Sequence, residues 1–143
     1  MNLYSGETWK VIFGDWDQSF PGYCIVSCDK EKISDLTDKD WIELGRLEKE
    51  LERITKKLFD ATMCNFSCLM NNAYRDNDKP HVHFHFIPRY EGKRKILGKE
   101  YIDKHFGYNF WKWNLNKFKK QKDIFDKEDK SKMFEIMKTE WSL

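Results

Sequence analysis

No stretch of this chain comes near the roughly 20 consecutive apolar residues needed to cross a bilayer, which excludes a helical membrane protein. The opening residues, Met1 to Trp9, are polar and lack the apolar core of a secretory signal, so the expected setting is the cytosol. There are only three prolines and seven glycines, no Gly/Ser or Pro linker and no internal repeat. Nothing therefore divides the 143 residues, and one domain is expected. The net charge of +2 is too small to argue for nucleic acid by itself. A chain of this length buries roughly two-thirds of the surface its unfolded form exposes, so disulfides are not required.

Cysteine is sparse as well. Cys24 and Cys28, and Cys64 and Cys68, form two Cys-x-x-x-Cys pairs in segments that read as strands. Residues four apart on a strand are about 13 Å apart, too far to share one zinc at about 2.3 Å per bond. They read as buried, reduced side chains packed as small apolar groups. What is plentiful is charge, at 35% of residues, and aromatic surface, at 16%, with six tryptophans that suit a core or an interface.

The pattern along the chain is strand, strand, helix, strand, strand, then a helical tail. Lys10 to Phe13 reads as a strand, and Pro21-Gly22 is a turn leading into a second one, Tyr23 to Cys28. Asp29 to Lys32 is a charged loop. Thr37 is the N-cap of a long helix with Asp38 and Asp40 in its first turn. Trp41, Leu44, Leu47, Leu51, Ile54 and Leu58 make its apolar stripe. Asn65 to Met70 reads as a third strand, Asn71 to Lys79 as a polar loop, and His81 to Ile87 as a fourth strand stopped by Pro88. A last helix is expected from about Lys127 to Trp141, with Met133, Ile136, Met137 and Trp141 inward. Short turns within each strand pair imply an antiparallel sheet and an α+β class, helices on one face.

The chemistry is concentrated in Pro80-His81-Val82-His83-Phe84-His85-Phe86-Ile87-Pro88. Alternation on a strand puts His81, His83 and His85 on one face, about 6.7 Å apart at successive positions. Val82, Phe84 and Phe86 face the core. Histidine is not a favoured strand former, so propensity does not account for three of the chain's four histidines at this spacing. Inert structural histidines are one reading. A metal site is another, although no third ligand from another strand can be nominated. The third is nucleophilic catalysis at phosphorus, for which a neutral imidazole is suited near pH 7.

The segment His81-Val82-His83-Phe84-His85-Phe86-Ile87, with its trailing Pro88-Arg89-Tyr90, resembles the histidine triad signature. Phe20 to Val26, Ile33 to Thr37 and Met70-Asn71-Asn72 resemble further parts of that family, so the likeness covers roughly Trp9 to Tyr90, and more weakly Phe106 to Tyr108. It implies the histidine triad fold, with a sheet of about five antiparallel strands and a long helix. It also implies a homodimer, a nucleotide beside the sheet, and cleavage of a phosphoanhydride or phosphoramidate bond with no cofactor. Residues 1–100 would form that domain, and 101–143 an aromatic and basic extension packed on it. His83 would be the nucleophile, His85 a contact to the α-phosphate and His81 an orienting group. Asn72 or Asn71, with Asn72 preferred, and Asn77 would contact phosphate.

The chain departs from the family in two places. Many members carry a further histidine just after the second strand, where Ser27-Cys28-Asp29-Lys30 stands here. Lys30 as a phosphate contact, or His105 folded back, are the two candidate replacements. Before the triad, Asp76-Asn77-Asp78-Lys79 replaces a neutral Gly-Gln-Ser/Thr run. Its carboxylates would repel an anionic ligand unless paired with Arg75 or Lys79, or turned away in a solvated polar turn. Finally, Phe110 to Lys120 interleaves aromatics and lysines. A single-strand nucleic-acid surface is conceivable there, although packing of the aromatics on the domain is favoured. The expected function is hydrolysis or transfer on a dinucleoside polyphosphate or nucleoside phosphoramidate. The rivals are a metal-binding or nucleic-acid-binding protein and a nucleotide binder that has lost catalysis.

Overall fold

The computed structural model describes residues 1–108 and 121–143. Among them, β1 (Asn2–Ser5), β2 (Lys10–Phe13), β3 (Cys24–Ser27), β4 (Met63–Ser67) and β5 (His83–Arg89) form one sheet in the order β1-β2-β3-β5-β4. Every pairing in it is antiparallel. The class is α+β, as the sequence implies. The connections are longer than the short turns expected. A ten-residue excursion, 14–23, joins β2 to β3, and β4 reaches β5 through α2 (Asn71–Asp76).

The register turns the alternation into two faces. Val11 pairs with Val26 and Val26 with Phe84, while Phe13, Cys24, Phe86 and Phe66 make the next row. These rows carry buried or half-buried apolar groups, and α1 (Asp38–Phe59) covers them with buried Leu44, Leu47, Leu51 and Ile54. Each such side chain contributes about 1.5–3 kcal/mol by leaving water. The opposite face carries Ile12, Ile25, His85 and Ser67 in one row and Ser27 and His83 in another.

Helix α1 begins at the expected cap. Thr37 Oγ1 accepts from the Asp40 N–H, and the Asp40 carboxylate accepts the Thr37 N–H in return. Trp41 departs from the stripe expected of it. It is partly exposed, with its ring edge-on to Phe84 at 6.2 Å. Helix α3 (Lys127–Glu140) lies against α1 and β1. It buries Met133, Phe134 and Met137, with Ile136 and Trp141 only half-buried. Trp141 stacks on Tyr4 at 5.0 Å.

Several elements differ from the sequence reading. Strand β1 is an addition, and a second hairpin, β6 (Lys93–Ile96) with β7 (Lys99–Ile102), occupies the basic stretch and spans residue 100. Its turn, Leu97-Gly98, has positive φ at both positions, 49° and 80°, which is the geometry a two-residue hairpin prefers. Strand β4 sits two to three residues earlier than expected. Strand β5 runs through Pro88 to Arg89 and begins at His83, so Pro88 does not stop it and His81 precedes it. β3 pairs β5 only as far as Phe86, so at Pro88 one side of β5 is free of the ladder. There the missing N–H of proline costs little. No helix among the described residues is long and apolar enough to cross a membrane.

Candidate active site

The triad lines a cleft of about 540 Å³ on the sheet face that α1 leaves open. Its floor is the row Ile12, Ile25, His85 with Ser27 and His83. Trp16 and Tyr23 stand at one side. Met70, Asn72, Ala73, Asp76, Asp78 and Lys79, from α2 and its flanks, stand at the other. One wall is thus largely apolar and aromatic, and the other polar.

His81, His83 and His85 converge as expected. The His81 and His83 rings are 5.0 Å apart between centroids, and those of His83 and His85 5.2 Å. His83 Nδ1 lies 3.0 Å from the His81 carbonyl oxygen. A carbonyl only accepts, so Nδ1 carries the hydrogen and the neutral ring leaves Nε2 with a free lone pair. That arrangement follows from local chain geometry, since donor and acceptor are two residues apart. Among the described residues no group of three or more His, Cys, Asp or Glu side chains is arranged to hold a metal ion.

His85 has a different partner. Its Nδ1 lies 2.8 Å from the Tyr23 hydroxyl, and the two rings are stacked, 10° from parallel, with centroids 6.1 Å apart. Burial, and then the neighbouring His83, push the His85 pKa down from its usual 6.5, so the neutral form is favoured. Burial likewise pushes the Tyr23 hydroxyl well up, so it stays protonated. Tyr23 immediately precedes β3, and its carbonyl is held by the Gly14 N–H at 3.0 Å and by Gln18 Nε2 at 3.0 Å. The buried Gln18 side chain also accepts from the Gly22 N–H and donates to the Gly14 carbonyl, both at 2.8 Å.

Sequence reasoning missed Tyr23, Trp16, Ile12 and Ile25. The alternation on β3 could have found Tyr23 and Ile25, because Cys24 and Val26 are the core-facing positions. The two candidates offered for the absent histidine go elsewhere. Lys30 Nζ is bound to Asp40 Oδ2 at 2.5 Å and to the Asp35 carbonyl at 3.1 Å, and it does not line the cleft. The bond to Lys30 leads the hydrogen bonds that hold the Asp40 carboxyl far below the usual carboxylate range. His105 is buried beyond β7, its carbonyl accepting from Arg89 and its N–H donating to Asp103.

The segment expected as a polar loop is helical from Asn71 to Asp76, bracketed by Met70 and Asn77 in left-handed conformations at φ 52° and 56°. Of the three asparagines, Asn72 lines the cleft, while Asn71 and Asn77 are exposed and do not. The Asp76 carboxylate is held bidentately by Arg75, at 2.6 and 2.7 Å, and its pKa is lowered by that bond. Lys79 pairs with Glu31 at 3.0 Å. Cys24 and Cys28 are buried and Cys64 and Cys68 half-buried, all four as free thiols in or against the core. The whole aromatic and basic run from Phe110 to Lys120 lies within residues 109–120, outside the described residues.

No protein-family model and no curated protein sequence matches this chain. Solved structures do. A histidine triad protein from Bradyrhizobium japonicum superposes with a TM-score of 0.69 at 15% identity, over 99% of this chain and 90% of its own. A hypothetical histidine triad nucleotide-binding protein from Sulfolobus tokodaii gives 0.65 at 18%, over 97% and 81%. A zinc-bound histidine triad family protein from Mycobacterium smegmatis gives 0.56 at 13%, over 96% and 84%. Together with the signature at His81 to Ile87, which leads into an inner strand of a five-stranded antiparallel sheet, these likenesses give the chain the histidine triad fold.

Proposed function

We propose that this protein is a nucleotide hydrolase or transferase in which His83 is transiently nucleotidylated. The single observation that carries the reading is the hydrogen bond from His83 Nδ1 to the His81 carbonyl at 3.0 Å, in a cleft sized for a nucleotide. It fixes the tautomer whose Nε2 is nucleophilic. The lone pair on Nε2 attacks the α-phosphorus and an N–P bond forms. The P–O or P–N bond to the leaving group breaks, and its electron pair departs with that group, which takes a proton from solvent. Water then attacks phosphorus, the N–P electron pair returns to Nε2, and the water's surplus proton is released. The product is a nucleoside monophosphate, and no metal or cofactor enters the step.

The rest of the cleft supports this assignment. Ile12, Ile25 and Trp16 offer an apolar and aromatic surface for a base. His85, His81 and Asn72 offer polar groups for phosphate. The substrate class is a dinucleoside polyphosphate or a nucleoside phosphoramidate. The proposed state is a homodimer, supported by β4, an edge strand of the sheet whose residues are all at least partly exposed. Four free thiols suit a reducing compartment such as the cytosol.

The test is turnover of diadenosine polyphosphates and of an adenosine phosphoramidate by wild type and His83→Ala. Turnover confined to wild type, with both proteins folded and binding nucleotide, supports the assignment. Equal turnover by both removes it.

A further inference from the structure

The transfer reading asks two neighbouring imidazoles to do opposite things. The nucleophile must present a bare nitrogen, and its neighbour must present an N–H to the charge developing on phosphate oxygens. Neutral imidazole has one hydrogen to place, so each ring needs something to decide where it sits. For His83 the His81 carbonyl decides. We propose that Tyr23 decides it for His85: by donating its hydroxyl hydrogen to Nδ1, Tyr23 is a positioning residue that holds His85 as the Nε2–H tautomer. Adjacent histidines on one face of β5 then carry complementary tautomers, nucleophile and donor. The consequence for catalysis rests on the transfer reading, whereas the tautomer assignment rests on geometry alone.

The direction of the bond follows from what surrounds it. The Tyr23 hydroxyl has one hydrogen-bond partner among the described residues, His85 Nδ1 at 2.8 Å. Were His85 the donor, the hydroxyl hydrogen would have no acceptor among the described residues and would have to turn to solvent in the cleft. With Tyr23 donating, both groups are satisfied.

The loop between β2 and β3 is shaped to hold this ring. A Cβ at Gly14 would stand 2.4 Å from Tyr23 Cδ1 and 2.6 Å from Cε1, so only glycine lets the ring lie where it does. Trp16 meets Tyr23 edge-on at 6.2 Å. The buried Gln18 amide ties Gly14, Gly22 and Tyr23 together. A tyrosine placed only to fill space would not need its backbone pinned from both sides and its hydroxyl aimed at a ring nitrogen.

The experiment is long-range ¹H–¹⁵N correlation of the histidine side chains in the full-length protein, above the titration of His85, with kcat and KM measured on adenosine phosphoramidate. Wild type, Tyr23→Phe and Gly14→Ala are compared. Wild-type His85 should show the Nε2–H tautomer, and Tyr23→Phe, which keeps the stacked ring, should lose that preference while His83 is unmoved. The expected fall in kcat is about tenfold or more, below the ~10²–10³-fold of losing a whole charge-stabilising donor. Gly14→Ala should cause the same tautomer loss with the hydroxyl still present. An Nδ1–H tautomer in wild type, or a Tyr23→Phe protein with His85 and kcat unchanged, overturns the proposal. If the tautomers respond as expected but wild type turns over no nucleotide, Tyr23 keeps its role and the transfer reading is what fails.

Discussion

The two ends of strand β5 carry polar side chains on the same face, and their fates are opposite. At the first end His83 and His85 are half-buried and line an open cleft. At the other, Arg89 is sealed in. Its guanidinium binds Asp103 Oδ2 at 2.6 Å, Asn65 Oδ1 at 2.9 Å and the His105 carbonyl at 2.5 Å, and it lies over the Phe20 ring at 5.3 Å. Both partners of the ion pair are almost wholly buried, at 2% and 0% exposure. Arg89 lies four positions after His85, yet one end keeps polar capacity for a ligand and the other uses it internally. The saturated end anchors β5 to β4 and to the segment after β7, and so fixes the floor on which the triad stands.

Substitutions along the strand should divide accordingly. His83→Ala should reduce turnover by roughly 10⁴–10⁶-fold, the scale of removing a nucleophile, while moving stability by less than about 1 kcal/mol. Activity together with urea unfolding separates the two effects. Arg89→Ala should do the reverse, destabilising by about 3–5 kcal/mol because Asp103 is left buried and unpaired. A wild-type urea midpoint in that variant would end the contrast. His85→Ala should fall between them, losing roughly 10²–10³-fold in kcat as one donor to the developing charge is removed.

The smallest effect is one of pH. The folded pKa of His85 lies below its unfolded value of 6.5. Its contribution to stability is therefore fully present above about pH 6.5 and is lost as pH falls through the lower folded value. His85→Asn should flatten that part of the stability profile, and an unchanged slope would show that His85 is not held neutral.

The triad end of β5 was legible in the sequence and the arginine end was not, for one physical reason. Alternation is local, so His83 and His85 declare their shared face without help from the rest of the chain. The helix α1 is local in the same way, from its Thr37 cap to its apolar spacing, and only Trp41 misleads. The partners of Arg89 and His85 come from residues 14, 24 and 62 positions away, and spacing carries no signal for such pairings. Tyr23 therefore went unseen as a site residue although it is the contact His85 makes. Lys30 reads as available because spacing places its partner, Asp40, only in the first turn of a helix. The α2 helix was hidden for another reason: two non-glycine residues, Met70 and Asn77, take left-handed conformations at its ends. The β6–β7 hairpin was hidden by charge, its Lys93, Arg94 and Lys95 reading as a solvated run.

The most direct test is the mass of the intact protein, quenched in acid-free denaturant within the first turnover of an adenosine phosphoramidate, followed by mapping of any adduct. A transient gain of one adenylyl group on His83, absent from His83→Ala, is what the mechanism requires. Turnover at the same rate with no adduct, or with the adduct on another residue, would contradict it.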